Sequence, residues 1–296
     1  MCSGVRRPRF ARDLALALAL TACGRAAPSH APDAAVSVEP RATLDFRVEG
    51  RTVRRVTLEE LERAVGVETV TNFDAYYHRV KTFRALPLQR VLAVGFAGET
   101  GAPLATRQFV LRARDGYTVP IAGERLFEGG AYLAVRDVEN PSWEPIGPQR
   151  ANPSPAYLVW GEAAQTSLET HPRPWQLAVI EITRFEVAFP HTVPTGEGPD
   201  SPAMRGFAVY AQQCVRCHAV NREGGRVGPE LNVPQSIVEY RPEAQVRAYI
   251  RNPLTFRYGN MPAHPGLTDA DLDGLIAYFR AMSTRKHDPD ADAGAP

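Results

Sequence analysis

Cys214-Val215-Arg216-Cys217-His218 sets two thiols three residues apart and an imidazole directly after the second. That spacing is the attachment signature of c-type haem. Each thiol can add across a porphyrin vinyl group, and the histidine falls where its ring can bind the iron. A Cys-x-x-Cys zinc or dithiol site is the competing use of the same residues. Zinc, however, asks for a second pair of Cys or His ligands at short spacing, and no cysteine follows Cys217. The pentapeptide occurs once, so the sequence predicts a single covalent haem c.

Iron held by one histidine needs a second axial ligand. In Tyr258-Gly259-Asn260-Met261-Pro262 a methionine is fixed between a Gly-Asn turn and a proline, outside any helix. A thioether so held is a good sixth ligand, and His/Met ligation raises the reduction potential of a haem. Met261 is therefore the candidate distal ligand. Met204 and Met282 fall within helical periodicity, where core packing accounts for them, whereas His264 competes as a nitrogen ligand.

Two helices must carry these groups. Pro202 to Gln213 has proline in its first turn and places Gly206, Phe207 and Tyr210 on one face, leading straight into the attachment motif. Thr268-Asp269-Ala270-Asp271 caps a second helix, in which Leu272, Leu275, Ile276 and Phe279 recur at helical spacing beside Tyr278. Gly206 would allow the two to cross closely.

With Gly228-Pro229-Glu230-Leu231, Asn260-Met261-Pro262 and the final Leu-Thr-Asp-Ala-Asp-Leu helix in the same order, residues 202–286 resemble a class I cytochrome c. The resemblance implies an all-α domain that moves single electrons between redox partner proteins. It also implies that the Pro229 carbonyl steadies His218. A hydrogen bond of that kind fixes the ring tautomer and tunes the metal.

At the amino end, Arg6, Arg7, Arg9 and Arg12 precede an apolar run from Leu14 to Thr21. This is the pattern of an export signal, and the run is far shorter than the ~20 residues that span a bilayer. Leu20-Thr21-Ala22-Cys23 resembles the bacterial lipoprotein cleavage box. The resemblance implies removal of residues 1–22 and a lipid on Cys23; ordinary cleavage in the Ala-rich stretch nearby is the alternative. The four cysteines then divide without remainder: Cys2 leaves, Cys23 takes lipid, and Cys214 and Cys217 take haem. The expected location is the periplasm or an extracytoplasmic face, anchored by lipid to a bacterial membrane. Residues 23–41 and 190–201, rich in Pro, Gly, Ala, Ser and Thr, read as a tether and a linker, and residues 287–296 as a disordered tail. A net charge of +1 points to no nucleic-acid partner.

Residues 42–189 read as a β-rich α+β domain, making the chain multidomain. Leu44, Phe46 and Val48 alternate as in a strand, Thr57-Leu58-Glu59-Glu60 opens a short helix, and Pro87 to Val94 forms another. Gln108–Ala113 and Tyr117–Ile121 flank an Asp115-Gly116 turn, and Ala131–Val135, Tyr157–Trp160 and Gln176–Phe189 add strands. The order Leu58-Glu59-Glu60-Leu61, Leu86 to Leu92, Asp115-Gly116-Tyr117, Tyr157 to Trp160 and Trp175 to Phe185 is similar to the sulfite-oxidase-like molybdopterin-binding domain. In that family a cysteine between the first two segments binds molybdenum; Thr71 to His78 here contains none. Arg6-Arg7-Pro8-Arg9-Phe10 also departs from the twin-arginine pattern that export of a cytoplasmically loaded cofactor requires. The domain is thus expected to be a repurposed fold that docks the redox partner. The alternative is an oxidoreductase whose middle domain binds a molybdopterin-type cofactor, acts on a small substrate such as a sulfur oxyanion, and passes electrons to its own haem. In a strand from Tyr77 to Arg84, Tyr77, Arg79 and Lys81 would share one face, either solvated or open to an anion or partner.

Overall fold

The computed structural model describes residues 42–99, 101–257, 259 and 261–289. The signal segment, Cys23, the tether, Tyr258, Asn260 and residues 290–296 lie outside the described residues.

The chain enters with β1 (Thr43–Val48), whose Leu44 and Phe46 are fully buried, and returns as β2 (Arg51–Thr57). Asp45 is buried between those apolar neighbours. Arg55, opposite it on β2 at 2.6 Å, holds its carboxyl below the usual range against the opposing effect of burial. The Thr57–Glu60 capping box starts α1 (Leu58–Val65), followed by β3 (Glu68–Asp74), β4 (Arg79–Pro87) and α2 (Leu88–Gly95). Next come β5 (Gln108–Ala113), β6 (Thr118–Ala122), α3 (Gly123–Phe127), β7 (Ala131–Asp137), β8 (Tyr157–Trp160) and β9 (Leu177–Ile182). The strands form a five-stranded sheet in the order β2-β1-β9-β5-β6 and a four-stranded sheet in the order β3-β4-β7-β8. Only β1 and β9 pair in parallel; every other neighbour in these sheets is antiparallel. One core joins Leu44 and Phe46 with α1, α2, Leu133, Leu158 and Trp160, and a second joins Val70, Phe83, Trp143 and Tyr157.

Two expectations for this region need correction. The last strand stops at Ile182, because Phe185 turns into α4 (Phe185–Ala188) to pack on Phe189 at 5.0 Å and on Phe207 at 5.6 Å. Nor do Arg79 and Lys81 share one solvated face: Arg79 is exposed, but Lys81 is not. The Lys81 side chain is fully buried, its Nζ 2.9 Å from Asp137, 3.0 Å from Glu139 and 3.1 Å from Glu144, while Arg79 pairs with Glu139 at 2.8 Å. Burial lowers the pKa of the amine; the hydrogen bonds to Asp137, Glu139 and Glu144 outweigh it and raise the pKa overall.

The cytochrome-like part begins with α5 (Pro202–Val209), capped by Ser201, and passes into a π-helical turn over Tyr210–Cys214. After the attachment motif come β10 (Ala219–Val220), β11 (Glu223–Gly224), α6 (Ile237–Tyr240), α7 (Glu243–Arg251) and α8 (Asp269–Ser283), which Thr268 and Asp271 cap reciprocally. α5 and α8 cross at Gly206 and Gly274. A Cβ at Gly206 would lie 1.9 Å from the Gly274 carbonyl oxygen, so no larger residue fits this crossing. The aromatics of α8 flank the contact, and the facing partner is a second glycine that the sequence reading did not single out.

Residues 190–201 are packed as well as connecting. Thr192 is fully buried and its carbonyl accepts from the Tyr278 hydroxyl at 2.8 Å, the His191 carbonyl accepts from Asn221 Nδ2 at 2.8 Å, and that of Thr195 from Arg285 Nε at 3.0 Å. His287, at the head of the expected tail, stacks on His191 with ring centroids 3.7 Å apart, and Asp288 pairs with Arg222 at 3.1 Å. Val110 of β5 and Phe189 belong to the same core as Tyr210, Val215, Leu275 and Tyr278. The two regions therefore share apolar packing, and the described residues form one compact unit. Among the described residues no helix is long and apolar enough to cross a membrane.

Replacing Lys81 by methionine should destabilise the fold by about 3–5 kcal/mol, because the buried Asp137 would lose its cation and keep only the backbone N–H groups of Glu139, Asn140 and Glu144. In urea unfolding, the double replacement Lys81→Met with Asp137→Asn, which removes the charge but keeps a side-chain oxygen for those N–H groups, should recover most of that loss. A double variant as unstable as the single one would contradict the account of this pair.

Candidate haem site

The attachment motif follows the π-helical turn, in which Val215 N–H reaches back to the Tyr210 carbonyl at 2.9 Å. Such a turn inserts an extra residue into the helix and is found at functional sites. His218 and Cys217 N–H both return to the Cys214 carbonyl, at 2.9 Å and 3.1 Å, bringing the three chemistry-bearing residues together on one tight turn. Neither cysteine is in a disulfide. Burial pushes the Cys214 thiol up to about 12 and the Cys217 thiol up to about 11, so both are protonated at neutral pH. Among the described residues no three His, Cys, Asp or Glu side chains converge as a metal ion would require, so these thiols lack the companions of a zinc site.

His218 is fixed from two sides. Its Nδ1 lies 2.8 Å from the Pro229 carbonyl oxygen, and a carbonyl can only accept, so Nδ1 carries the hydrogen and Nε2 keeps its lone pair. Burial lowers its pKa against the opposing effects of that bond and of the Glu230 charge, which keeps the ring neutral. Gly228 covers the ring so closely that a Cβ there would sit 2.4 Å from Cε1. The Pro229 carbonyl is aimed in turn by Glu230, whose carboxylate accepts from the backbone N–H groups of Asn221, Arg222, Asn232 and Val233 at 2.7–3.1 Å. Asn232 ties this loop to α8 by donating to the Met282 carbonyl at 2.8 Å.

Met261 is half-buried outside any helix and packs against the same core as Cys214, Leu231 and Phe207. Met282 lies in the core on α8, and Met204 is half-buried on α5. His264 is drawn to the same region: its Nδ1 lies 3.0 Å from Gln213 Oε1, and burial lowers its pKa, with the neighbouring His218 and Arg216 adding to that shift and Glu169 opposing it. The pieces fit a haem. Two unoxidised thiols, a neutral imidazole with a free Nε2, a glycine against its ring and two candidate distal donors lie in the order that covalent attachment needs. When bound, the group supplies a one-electron iron couple; the protein supplies attachment through Cys214 and Cys217 and the orientation of His218.

Comparison with known proteins agrees. Residues 201–279 match the family model of cytochrome c oxidase, cbb3-type, subunit III, so the C-terminal part of this chain is a cytochrome c domain, and such a domain implies a haem cofactor, an electron-transfer role and redox partner proteins. A 94-residue stretch is 34% identical to cytochrome c oxidase subunit 2 of Alkalihalophilus pseudofirmus, covering 29% of this chain and 27% of that protein. The chain thus matches about a quarter of the length of that curated relative.

Sequence reasoning missed several residues around the motif. Arg216 extends away from the turn to donate to the carbonyls of Leu168 and Glu169, at 3.0 Å and 2.7 Å. Tyr117 of the β-rich region lies beside Arg216, Cys217 acts electrostatically on both Tyr76 and Tyr117, and burial raises both phenols, that of Tyr117 to about 12. These contacts join residues about 50 to 140 positions apart, and no local pattern announces them.

Replacing Gly228 by alanine should displace the His218 ring while leaving the thiols free to attach haem. The absorption spectrum of the purified variant should show a larger share of high-spin iron than the parent. An unchanged low-spin spectrum would contradict the role given to this glycine.

Proposed function

We propose that this protein is a lipid-anchored, extracytoplasmic monohaem c-type cytochrome that passes single electrons between redox partner proteins, with the β-rich domain as the module that selects a partner. The observation that carries the reading is the His218–Pro229 bond, which presents Nε2 of a neutral imidazole beside two protonated thiols. In this reading Cys214 and Cys217 anchor the haem, His218 and Met261 ligate its iron, Pro229 orients His218, and Cys23 takes the lipid. Thioether ligation opposite histidine favours the reduced iron and closes the site to small ligands.

The docking role of the β-rich domain draws support from the region where the sulfite-oxidase-like resemblance would place its metal ligand. Asp74 ends β3 there, accepts from the Tyr157 hydroxyl at 2.9 Å and pairs with Arg173 at 3.3 Å, with all three side chains buried. A carboxylate already neutralised inside the protein has the character of a structural group. The matched family and the curated relative both carry the names of oxidase subunits; only the cytochrome c domain is taken over here, and crosslinking would identify the donor and acceptor of this chain.

A redox titration of the full-length protein should follow a one-electron curve. Met261→Ala should lower the reduction potential, shifting the reduced-to-oxidised ratio at least tenfold at fixed ambient potential, about 59 mV for a one-electron couple, and should let carbon monoxide bind the reduced iron. An unchanged potential would move the sixth position to another residue, with His264 the first to replace.

A further inference from the structure

Arg216 is a charged member of the attachment pentapeptide to which haem attachment assigns no task, yet it joins the motif to the β-rich region by backbone and side chain together. Its carbonyl accepts from Thr118 N–H of β6 at 2.9 Å, while its guanidinium donates to the carbonyls of Leu168 and Glu169. Beside it, Arg226 N–H donates to the Gly116 carbonyl at 3.0 Å. Gly116 adopts φ +92°, and a Cβ there would come within 2.8 Å of the Arg226 Cβ. The Asp115-Gly116 turn, which closes the β5–β6 hairpin, is therefore seated directly on the haem-bearing segment. The Tyr117 hydroxyl lies beside the Arg216 guanidinium.

The charge on Arg216 is met by neutral groups. Among the described residues it forms no ion pair: its guanidinium donates to two neutral carbonyls beside the neutral Tyr117 hydroxyl, its Nε is buried without a partner, and the Glu169 carboxylate accepts instead from Gln213 at 3.4 Å. A cation held against a partly buried surface is screened less by solvent than a free one. Reduction of a haem iron removes one unit of positive charge, so a fixed cation nearby favours the reduced state.

Building on the function proposed above, we infer that Arg216 is a positioning residue with an electrostatic effect: it clamps the attachment turn to the β-rich domain and holds the reduction potential of the haem up. Cys217, which would hold the haem, directly follows this clamp, so the β-rich domain would act on the haem site itself as well as on a docking partner.

The test uses the full-length protein with its haem. Covalent haem per chain and midpoint potential are measured for Arg216→Gln, Arg216→Lys and Thr170→Glu, with Arg205→Gln as a surface control whose arginine donates to the Asp200 carbonyl. Thr170 and Arg216 line one cleft, so Thr170→Glu brings a carboxylate towards the guanidinium without removing the clamp, and it carries the test should Arg216→Gln fail to fold. Arg216→Gln should keep its haem and shift the reduced-to-oxidised ratio about tenfold towards oxidised at fixed ambient potential, which is 59 mV for one electron. Thr170→Glu should shift it the same way by a smaller amount that shrinks at high salt, while Arg216→Lys and the control stay within about twofold of the parent. Haem-loaded variants with unchanged potentials would overturn this inference and leave the cytochrome reading standing. So would a loss in Arg216→Lys as large as in Arg216→Gln. Absence of covalent haem from the parent would overturn the cytochrome reading itself.

Discussion

The hydrogen bond from His218 Nδ1 to the Pro229 carbonyl is the constraint to which the rest of the C-terminal region is fitted. It decides which nitrogen carries the proton, and so which one is left to ligate. It also needs a loop that brings a carbonyl to one particular place. Glu230 gathers the N–H groups that form that loop, Asn221 and Asn232 pin it to the end of α8, and Gly228 is present because any Cβ would strike the ring. The helix crossing at Gly206 and Gly274 brings α5 and α8 close enough for the motif and the loop to meet. A hydrogen bond between one side chain and one backbone atom thus explains several residues far from it.

The β-rich region is joined to this site by shared packing. Val110 and Phe189 enter the core built from α5 and α8, and the hairpin turn at Gly116 bonds to the segment that follows the attachment motif. Within the β-rich region two fully buried cations are matched internally, Lys81 with Asp137 and Arg173 with Asp74. Arg216 differs from those two buried cations, since the groups that receive its guanidinium are neutral, as they are for Arg54 and Arg84.

The attachment motif, the Gly-Pro loop and the capped final helix were legible in the sequence because each is local: a fixed spacing, a turn dipeptide, a capping box with helical periodicity. The same holds for the Asp115-Gly116 hairpin and the Thr57 cap. Long-range consequences were not legible. Lys81 reads as a surface lysine until Asp137, 56 residues later, is placed beside it. Gln176 to Phe189 reads as one strand, although the packing of Phe185 on Phe207 turns it into a helix after Ile182. The Pro- and Gly-rich stretch at 190–201 has the composition of a linker, yet its carbonyls are taken up by Tyr278, Asn221 and Arg285. Composition reports local freedom and is silent about which distant partners will remove it.

The measurement that tests the central claim most directly is a count of covalent haem, iron and molybdenum in the full-length protein purified from its native compartment. The account predicts about one haem and one iron per chain, with the haem remaining attached on denaturation and molybdenum below stoichiometry. Stoichiometric molybdenum, or iron without covalent haem, would contradict it.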